Sequence, residues 1–457
     1  MDDELLDLEK KHCSYGDTVH YAESPKVFSR CEESYMYDDK GDKYLDLQMW
    51  YSAVNLGYGN KNVNDAVKKQ IDTLPQIASQ YLHQGKIELA TKICTETEKR
   101  FGVKGRVHFN VGGAQAVEDA LKLVRMHTKA NGVFSFVGGY HGRTIAASAI
   151  TSSYRYRSRF GHFGDRAFFV EFPYIFRAPK EATPDITEYY VDKFRRLFET
   201  EYNGVFDSRT GLSEFRAFFA EPIQGTGGYI VPPKNFFKEL KKVLDEYGIL
   251  FVVDEIQMGF YRTGKLWSIE HFDVVPDIII FGKALTNGLN PLSGIWAKDD
   301  LIKPEVFPPG STHSTFASNP IGTAAGLATL NEFDVWKTKE TDIAAKGAYF
   351  LDKLERLKQQ YPDIIGDVDG LGMALRIEIC DSDGFSPSRK RADFLFNEGL
   401  KADLKHGDGK IGLILDIGGY YKNVITLAPN LLMTKEEIDI AADLLAQLLE
   451  RVRKNGL

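Results

Sequence analysis

The sequence lacks the cysteine spacing that disulfide frameworks and zinc sites require. Its four cysteines lie far apart, and no two of them form a Cys-x-x-Cys pair. They are Cys13, Cys31, Cys94 and Cys380. This spacing argues against a disulfide-stabilised secreted domain and is typical of a protein in a reducing compartment. We therefore predict four ordinary thiols, no metal site and a cytoplasmic protein.

Long apolar runs and an excess of positive charge are absent as well. No apolar run approaches the roughly 18 residues that a membrane span needs. The start of the chain, MDDELLDLEKKHC, is acidic and then basic, unlike a signal or transit peptide. The formal net charge is −7 at pH 7, and an acidic protein does not attract nucleic acid non-specifically. We expect neither a membrane nor a nucleic acid among its partners.

Common nucleotide and metal motifs are missing too. The glycine turn VGGAQAV lacks the third glycine of a GxGxxG fingerprint, and no acidic residue closes a neighbouring strand about 20 residues further on. Neither a GK[ST] phosphate loop nor an HExxH metal motif occurs in the chain. These absences argue against a dinucleotide fold, a nucleotide phosphate loop and a zinc peptidase.

What the chain does contain is a series of short apolar segments separated by amphipathic helices. The segments are RVHFN, VFSFV, EFRAFFA, ILFVVD and DIIIF. They do not alternate between apolar and polar residues, which is typical of parallel strands buried on both faces. We therefore predict an α/β fold with a mostly parallel sheet covered by helices.

Chemically distinctive residues follow these strands directly. They are Gly112–Ala114, Gly138–His141, Glu221, Asp254 with Gln257, and Lys283. Taken singly, each has an ordinary structural explanation, such as a turn or a helix cap. In a parallel sheet, however, all of them would lie at the carboxyl edge, where ligands bind.

Together these residues are the parts of one cofactor site. A lysine buried at that edge would have a lowered pKa and could form a Schiff base with an aldehyde. A glycine turn at a helix N-terminus offers backbone N–H groups to a phosphate. With an aspartate that keeps a pyridinium nitrogen protonated, this set predicts a site for pyridoxal 5′-phosphate (PLP).

Four stretches are specific enough to indicate a family. They read AEPIQGTGGYIVPP (220–233), VVDEIQMGFYRTGKLW (252–267), PDIIIFGKAL (276–285) and HSTFASNPI (313–321). In these stretches the chain resembles the class III (ω-amino acid:oxoacid type) PLP-dependent aminotransferases of fold type I. The resemblance runs from about residue 44 to residue 440. It implies a large domain with a seven-stranded sheet, a smaller α+β domain from both chain ends, and a homodimer or dimer of dimers with interfacial active sites.

The resemblance also assigns roles to single residues. Lys283 matches the catalytic lysine that forms the Schiff base with PLP and moves the proton, and Asp254 matches the partner of the pyridine nitrogen. The other cofactor-binding matches are Gly113 and Ala114 at the phosphate, Tyr140 on the ring, Gln257 near the 3′-oxygen, Glu221, and Thr315 at the phosphate of the neighbouring subunit. His141 is expected to lie beside the ring rather than to act as a catalytic base.

One position departs from the family pattern. Glu221 matches a glutamate that often pairs with an arginine, which binds the substrate's α-carboxylate, but the expected arginine is Thr426. Threonine cannot hold a carboxylate with two charged hydrogen bonds. Either the donor lacks an α-carboxylate, with Glu221 holding a distal ammonium group, or another cation binds the keto acid. Lys422 and the arginines of residues 154–160 are the candidates.

An aromatic pair, Trp50 and Tyr51, lies where the family forms the wall of its substrate pocket. Core packing beside a β-hairpin would explain the pair equally well. As a wall, the two rings would favour an apolar or extended substrate over a small amino acid. We therefore include Trp50, Tyr51, Glu221 and Thr426 as candidate substrate-binding residues.

These residues predict a PLP-dependent aminotransferase with a ping-pong cycle. The donor would be a primary amine, ω-amino acid or amino-sugar-like compound, and the acceptor a keto acid or aldehyde. A racemase, epimerase or aminomutase of the same family stays open, as does a catalytically silent relative. We predict an N-terminal segment over 1–60 that joins the small domain and dimer interface, a PLP-binding domain over 61–330, and a small α+β domain over 331–457.

Overall fold

The computed structural model describes residues 2–16, 20–157 and 166–456. Its strands are β1 (Phe28–Glu32), β2 (Tyr35–Asp38), β3 (Lys43–Asp46), β4 (Gly105–Asn110), β5 (Gly132–Phe136), β6 (Arg166–Val170), β7 (Phe206–Asp207), β8 (Leu212–Ser213), β9 (Phe215–Ala220), β10 (Leu250–Asp254), β11 (Ile278–Phe281), β12 (Ser293–Lys298), β13 (Ile365–Leu371), β14 (Ala374–Ile379), β15 (Leu404–His406), β16 (Gly409–Ile414), β17 (Asp416–Gly418) and β18 (Val424–Leu427). Its helices are α1 (Asp2–His12), α2 (Met49–Ser52), α3 (Lys61–Thr73), α4 (Gln84–Phe101), α5 (Gly113–Thr128), α6 (Ile145–Ala149), α7 (Tyr154–Arg157), α8 (Ile186–Arg195), α9 (Phe236–Glu246), α10 (Pro320–Val335), α11 (Lys339–Gln360), α12 (Arg389–Gly399) and α13 (Lys435–Lys454).

A seven-stranded sheet in the order β4-β12-β11-β10-β9-β5-β6 forms the centre of the protein. Strands β11, β10, β9, β5 and β6 pair in parallel, while β12 runs antiparallel to both β11 and β4. Six of the seven strands therefore point the same way, and their carboxyl ends share one edge. The predicted α/β fold with a mostly parallel sheet is confirmed.

The continuous apolar runs are explained by burial of both faces of this sheet. In β11, Ile278 and Ile280 pack on the side of helix α5, whereas Ile279 and Phe281 belong to the core on the other face. All four side chains are fully buried. Each such side chain contributes about 1.5–3 kcal/mol when it leaves water, so an alternating pattern would lose half of this stabilisation.

Residues from both chain ends share a second, five-stranded sheet of order β1-β2-β3-β16-β15. Strands β2 and β3 form a hairpin, and β3 pairs in parallel with β16 through Tyr44 and Gly412. Strands β13, β14, β18 and β17 form a separate four-stranded sheet. The pairing of β3 with β16 is what a small domain built from both chain ends requires. The domain boundaries at residues 60 and 330 stay predictions.

Helix ends follow local sequence signals. Helix α3 begins after Asn60, whose side-chain oxygen accepts a hydrogen bond from the Val63 N–H at 3.1 Å, as an N-cap does. Helix α4 ends at Gly102, whose φ of 69° is left-handed. Of the helices within the described ranges, none is both long enough and apolar enough to cross a membrane.

The pairing of β3 with β16 depends on a close approach at Gly412. A Cβ added there would lie 2.1 Å from Cδ1 of Tyr44, which is fully buried. We expect Gly412→Ala to lower the free energy of unfolding by about 1–3 kcal/mol in chemical denaturation, because it overpacks the site. Gly409→Ala is the matched control in the same strand, since its nearest atom lies 3.8 Å away. Equal stability of the two variants would contradict a tight contact at this pair.

Candidate active site

A cavity of about 800 Å³ lies at the carboxyl edge of the central sheet. Most of the predicted site residues line it, namely Gly113, Ala114, Tyr140, His141, Glu221, Asp254, Gln257, Lys283, Trp50 and Tyr51. They come from the segments that follow β4, β5, β9, β10 and β11 and from α2. The parallel sheet thus brings together side chains that are up to 233 residues apart in sequence, from Trp50 to Lys283.

Lys283 follows β11 and opens a short 3-10 turn over Lys283–Thr286. Its φ of 40° is left-handed, which is uncommon for a residue with a side chain. Burial lowers the pKa of Lys283 to about 8, although the negative charges of Asp254, Glu221 and Asp416 oppose that shift. A lysine with this pKa carries a substantial neutral fraction near neutral pH and is a nucleophile there.

Asp254, the last residue of β10, is held by two hydrogen bonds. Its Oδ2 lies 2.9 Å from Nδ1 of His141, and its Oδ1 accepts from the Ile256 N–H at 3.1 Å. Burial alone would lower the pKa of His141, but the hydrogen bond to Asp254 and its charge outweigh burial and raise that pKa. Both side chains are buried. His141 therefore orients the carboxylate of Asp254.

The N-terminus of α5 opens into the cavity. Gly112 is its N-cap, and no side chain caps the first backbone N–H groups. A Cβ on Gly113 would lie 2.9 Å from Cδ1 of Ile256, so the end of the Ile256 side chain would have to move to admit one. Uncapped N–H groups and the helix dipole together bind a phosphate well.

Glu221, directly after β9, is held by backbone groups rather than by an arginine. Its Oε1 accepts from the Gly225 N–H at 3.0 Å and its Oε2 from the Tyr140 N–H at 2.9 Å. Burial raises the pKa of Glu221 to about 7, helped by the charge of Asp254 and opposed by His141 and both N–H groups. The glutamate is thus placed without the arginine that the family pattern supplies.

The wall of the cavity is a left-handed turn. All four residues of α2 have positive φ, from 44° at Met49 through 51° at Trp50 and 57° at Tyr51 to 65° at Ser52. A left-handed conformation costs about 1–2 kcal/mol for each such residue, so other contacts must hold it. At its start, Oδ1 of Asp46 accepts from the Met49 N–H at 2.9 Å.

Two predicted residues lie outside the cavity lining. Thr426 is buried on β18, where its Oγ1 donates to Oδ2 of Asp416 at 2.9 Å. Thr315 is exposed on a loop held against α5, since Oγ1 of Thr312 donates to Oδ1 of Asp119 at 2.6 Å. The roles assigned to Thr426 and Thr315 stay predictions.

Of the cations proposed to replace the missing arginine, those in the described part of the chain do not line the cavity either. Lys422 follows β17, Arg155 packs over Tyr21, and Arg157 packs over Phe169. The last residues of the 154–160 stretch lie outside the described ranges.

Sequence reasoning missed two charged residues near the cavity. Arg143 lines the cavity, and its guanidinium lies 4.3 Å from the ring centre of Tyr156. Asp416, at the start of β17, contributes a negative charge that Lys283 experiences. The YHGRT segment could have indicated Arg143, because its spacing places this residue three positions after Tyr140.

The residues in the cavity fit PLP. The uncapped turn at Gly113 and Ala114 would hold its phosphate, and Asp254 would face the ring nitrogen. Lys283 provides the amine that its aldehyde requires. This fit depends on two features: a helix N-terminus that no side chain caps and a lysine whose pKa burial lowers.

The lowered pKa of Lys283 makes a testable prediction. Only the neutral amine attacks an aldehyde, so covalent uptake of PLP by the cofactor-free protein should accelerate with rising pH and level off above about 8. An unperturbed lysine would keep accelerating to about pH 10. Stopped-flow absorbance measures the rate, with Lys283→Ala as the control without covalent uptake. A rate that still rises steeply between about pH 9 and 10 would contradict the buried environment of this amine.

Comparison with known proteins agrees with this geometry. The family model Aminotransferase class-III matches residues 18–449. The alanine/serine racemase of Pyrococcus horikoshii is 31% identical over 99% of this chain and 90% of its own length. A probable 4-aminobutyrate aminotransferase of Bacillus subtilis is 35% identical over 79% of this chain and 80% of its own. The crystal structure of a transaminase from the marine bacterium Virgibacillus matches with a TM-score of 0.86 and 26% identity, covering 99% of each chain. The chain therefore belongs to the class III aminotransferase family of PLP-dependent, fold type I transaminases.

Proposed function

We propose that this class III aminotransferase moves an amino group from a primary amine, ω-amino acid or amino-sugar-like donor to a keto acid or aldehyde by a ping-pong cycle. The observation that carries the proposal is the position of Lys283. Its amine lies in the same cavity as Asp254, and burial lowers its pKa to about 8. Such an amine can take up and return a proton near neutral pH.

Each residue of the cavity then has a defined task. When bound, PLP supplies an electron sink for the charge left when a proton leaves the reacting carbon of the substrate. Lys283 takes that proton and returns it, while Asp254 keeps the ring nitrogen protonated. His141 orients Asp254 through the 2.9 Å contact. The N–H groups at the start of α5 hold the phosphate.

The donor side of the site is acidic. Gln48 Nε2 donates to Oδ1 of Asp416 at 3.3 Å, and the same side chain hydrogen-bonds to Tyr51 of the cavity wall. Oδ2 of Asp416 is bound by Thr426, and no cation within the described ranges forms an ion pair with this carboxylate. Burial raises the pKa of Asp416, and the hydrogen bonds from Thr426 and Gln48 oppose that shift. In its charged form, this carboxylate disfavours a nearby α-carboxylate more than an ammonium or uncharged group. This arrangement supports a donor without an α-carboxylate.

The acceptor's carboxylate has a different partner, Arg143. Its guanidinium lines the cavity, and among described residues no carboxylate pairs with it. Its neighbours are the rings of Tyr156 at 4.3 Å and Tyr140 at 6.0 Å. The guanidinium also hydrogen-bonds to the Tyr140 side chain. A guanidinium has five N–H donors and can still bind a carboxylate with two hydrogen bonds. This position supports a keto acid as the acceptor.

A homodimer with shared active sites is part of the proposal. Thr315 is exposed and lies outside the cavity of its own chain. Around this edge of the molecule, large apolar side chains are exposed, including Leu82 at 89%, Phe316 at 69% and Tyr81 at 61%. The two segments adjoin, because Oγ of Ser79 lies 3.1 Å from Nε2 of His313. Large exposed apolar side chains near each other are typical of an interface. In a dimer, Thr315 would reach the phosphate of the neighbouring subunit.

The proposed compartment is the cytoplasm. Cys13 and Cys31 are exposed free thiols, and Cys94 and Cys380 are unpaired as well. Exposed free thiols persist where glutathione and thioredoxin keep them reduced. The cysteine chemistry therefore supports a reducing compartment.

The proposed reaction is tested by following a labelled amino group. The PLP-loaded protein is mixed with ¹⁵N-labelled amines in a single turnover, and 2-oxoglutarate or pyruvate is then added. We expect ¹⁵N in the new amino acid and a carbonyl product from the amine. Racemisation of a chiral amino acid without any keto acid would instead favour the racemase reading, which the 31% identity to the alanine/serine racemase keeps open.

The role of Arg143 is tested in the second half of the cycle, in which the keto acid binds. We expect Arg143→Met to raise the KM for the keto acid by about 10- to 100-fold, since it removes charged hydrogen bonds worth about 1.5–3 kcal/mol. The first half-reaction with an amine should keep its rate. Arg157→Met is the matched control, because that guanidinium packs over Phe169 and does not line the cavity. An unchanged KM for the keto acid would contradict the role of Arg143.

The shared site is tested by mixing two inactive variants. Lys283→Ala lacks the reactive amine, and we expect Thr315→Ala to bind PLP weakly. In a hybrid dimer one site would combine Lys283 of one chain with Thr315 of the other, so activity should return to about half of the wild-type value per dimer. Hybrids with no activity, or a monomer in sedimentation analysis, would contradict interfacial sites.

A further inference from the structure

Ser52, the last residue of the left-handed turn α2, makes two hydrogen bonds that hold the turn. Its Oγ donates to the carbonyl oxygen of Gln257 at 2.9 Å and accepts from Nε of Arg262 at 2.8 Å. Gln257 lines the same cavity as Trp50 and Tyr51. Ser52 therefore ties the aromatic wall to the side of the cavity where PLP binds.

Arg262 is fully buried and joins three parts of the chain. Beside Ser52, it donates to the carbonyl oxygens of Met373 at 3.1 Å and Pro429 at 2.6 Å and to Oδ1 of Asn55 at 2.6 Å. No carboxylate within the described ranges pairs with it. Burial lowers the pKa of Arg262 to about 10, so it stays charged near neutral pH. Only a guanidinium has donors in enough directions for these four acceptors.

The conformation of α2 decides where the two rings of the wall point. Trp50 packs against Gly288, where an added Cβ would lie 3.3 Å from Cε3 of the indole. If the turn relaxed to the right-handed form, the sign change of φ would send the side chains of Trp50 and Tyr51 in other directions. A strained segment at a ligand site persists only where surrounding contacts determine it.

We propose that Arg262 and Ser52 are positioning residues that hold α2 in its left-handed form and thereby determine which amines fit the cavity. They act through Trp50 and Tyr51 and line neither the PLP site nor the substrate cavity. The substrate half of this proposal rests on the proposed transaminase function. The other half, that Arg262 and Ser52 hold α2 in its left-handed form, rests on the geometry alone.

The conformational half is tested by ¹⁹F NMR of protein labelled with 5-fluorotryptophan. The chain has four tryptophans, and Trp50→Phe assigns the Trp50 signal. We expect Ser52→Ala and Arg262→Lys each to shift or split that signal, while the fully buried Trp296 keeps its own. Ser52→Gly removes the same hydroxyl and should shift the signal less than Ser52→Ala does, because glycine adopts a φ of 65° without strain.

The matched control is Arg376→Lys. Arg376 is also buried, at 2% exposure, but its guanidinium pairs with Glu378 on β14, away from the cavity lining. It should destabilise the protein and leave the Trp50 signal in place. If Arg262→Lys does not fold, Ser52→Ala still decides the question. An unchanged Trp50 signal in Ser52→Ala would overturn the proposal.

The substrate half is tested by selectivity. For a bulky arylalkylamine and a short aliphatic amine, we expect Ser52→Ala to change the ratio of kcat/KM values by about tenfold or more, and Ser52→Gly to change it less. A shifted Trp50 signal with an unchanged ratio would overturn the link to selectivity. If no amine reacts with the wild-type protein, the proposed function fails, and the NMR comparison alone still decides the role of Arg262 and Ser52.

Discussion

The burial of one amine among carboxylates is the interaction on which the site depends. Desolvation disfavours the charged form of Lys283, and the nearby charges of Asp254 and Glu221 oppose this, so that the pKa settles at about 8. In a more apolar pocket, the pKa of Lys283 would be lower and the amine could not hold the proton that it must return. At an exposed position, the pKa would be higher and the amine would stay charged. The parallel sheet produces the balance, because β9, β10 and β11 end side by side and deliver the three groups to one edge.

The rest of the cavity holds these groups in place. Asp254 is oriented by a buried histidine, and Glu221 is held by two backbone N–H groups, so neither carboxylate needs an arginine. Arg143 is the one guanidinium that the described residues contribute to the cavity lining, and it lies in a different segment from the carboxylate of Asp416. Charges of opposite sign on different parts of the site would let one cavity bind a keto acid in one half of the cycle and a carboxylate-free amine in the other.

Much of this site could be predicted from the sequence, because its residues directly follow strands. Lys283 comes after DIIIF and Asp254 ends LFVVD, and both assignments needed only the location of buried strands. Strand β12 was missed because its short run, SGIWAK, lies between polar loops. It also pairs antiparallel with its neighbours, and local sequence does not indicate the direction of pairing. Strand β6, at the edge of the sheet, was missed as well.

The features that determine the substrate were harder to find, because they depend on contacts between distant residues. The residues Met49–Ser52 all have positive φ, but this stretch has no glycine that would predict a left-handed turn. The turn is held by Arg262, more than 200 residues away in sequence. The position of Asp416 near the site depends on its hydrogen bonds with Gln48 and Thr426. These residues are distant in sequence and meet only in the folded chain.

The central claim is that Lys283 is the amine that binds PLP at the edge of this sheet. Reduction of the PLP-loaded protein with borohydride, followed by peptide mapping by mass spectrometry, tests it most directly. The account predicts one phosphopyridoxyl group per chain, on the peptide that contains Lys283, and none in Lys283→Ala. A label on another lysine, or no label at all, would contradict it.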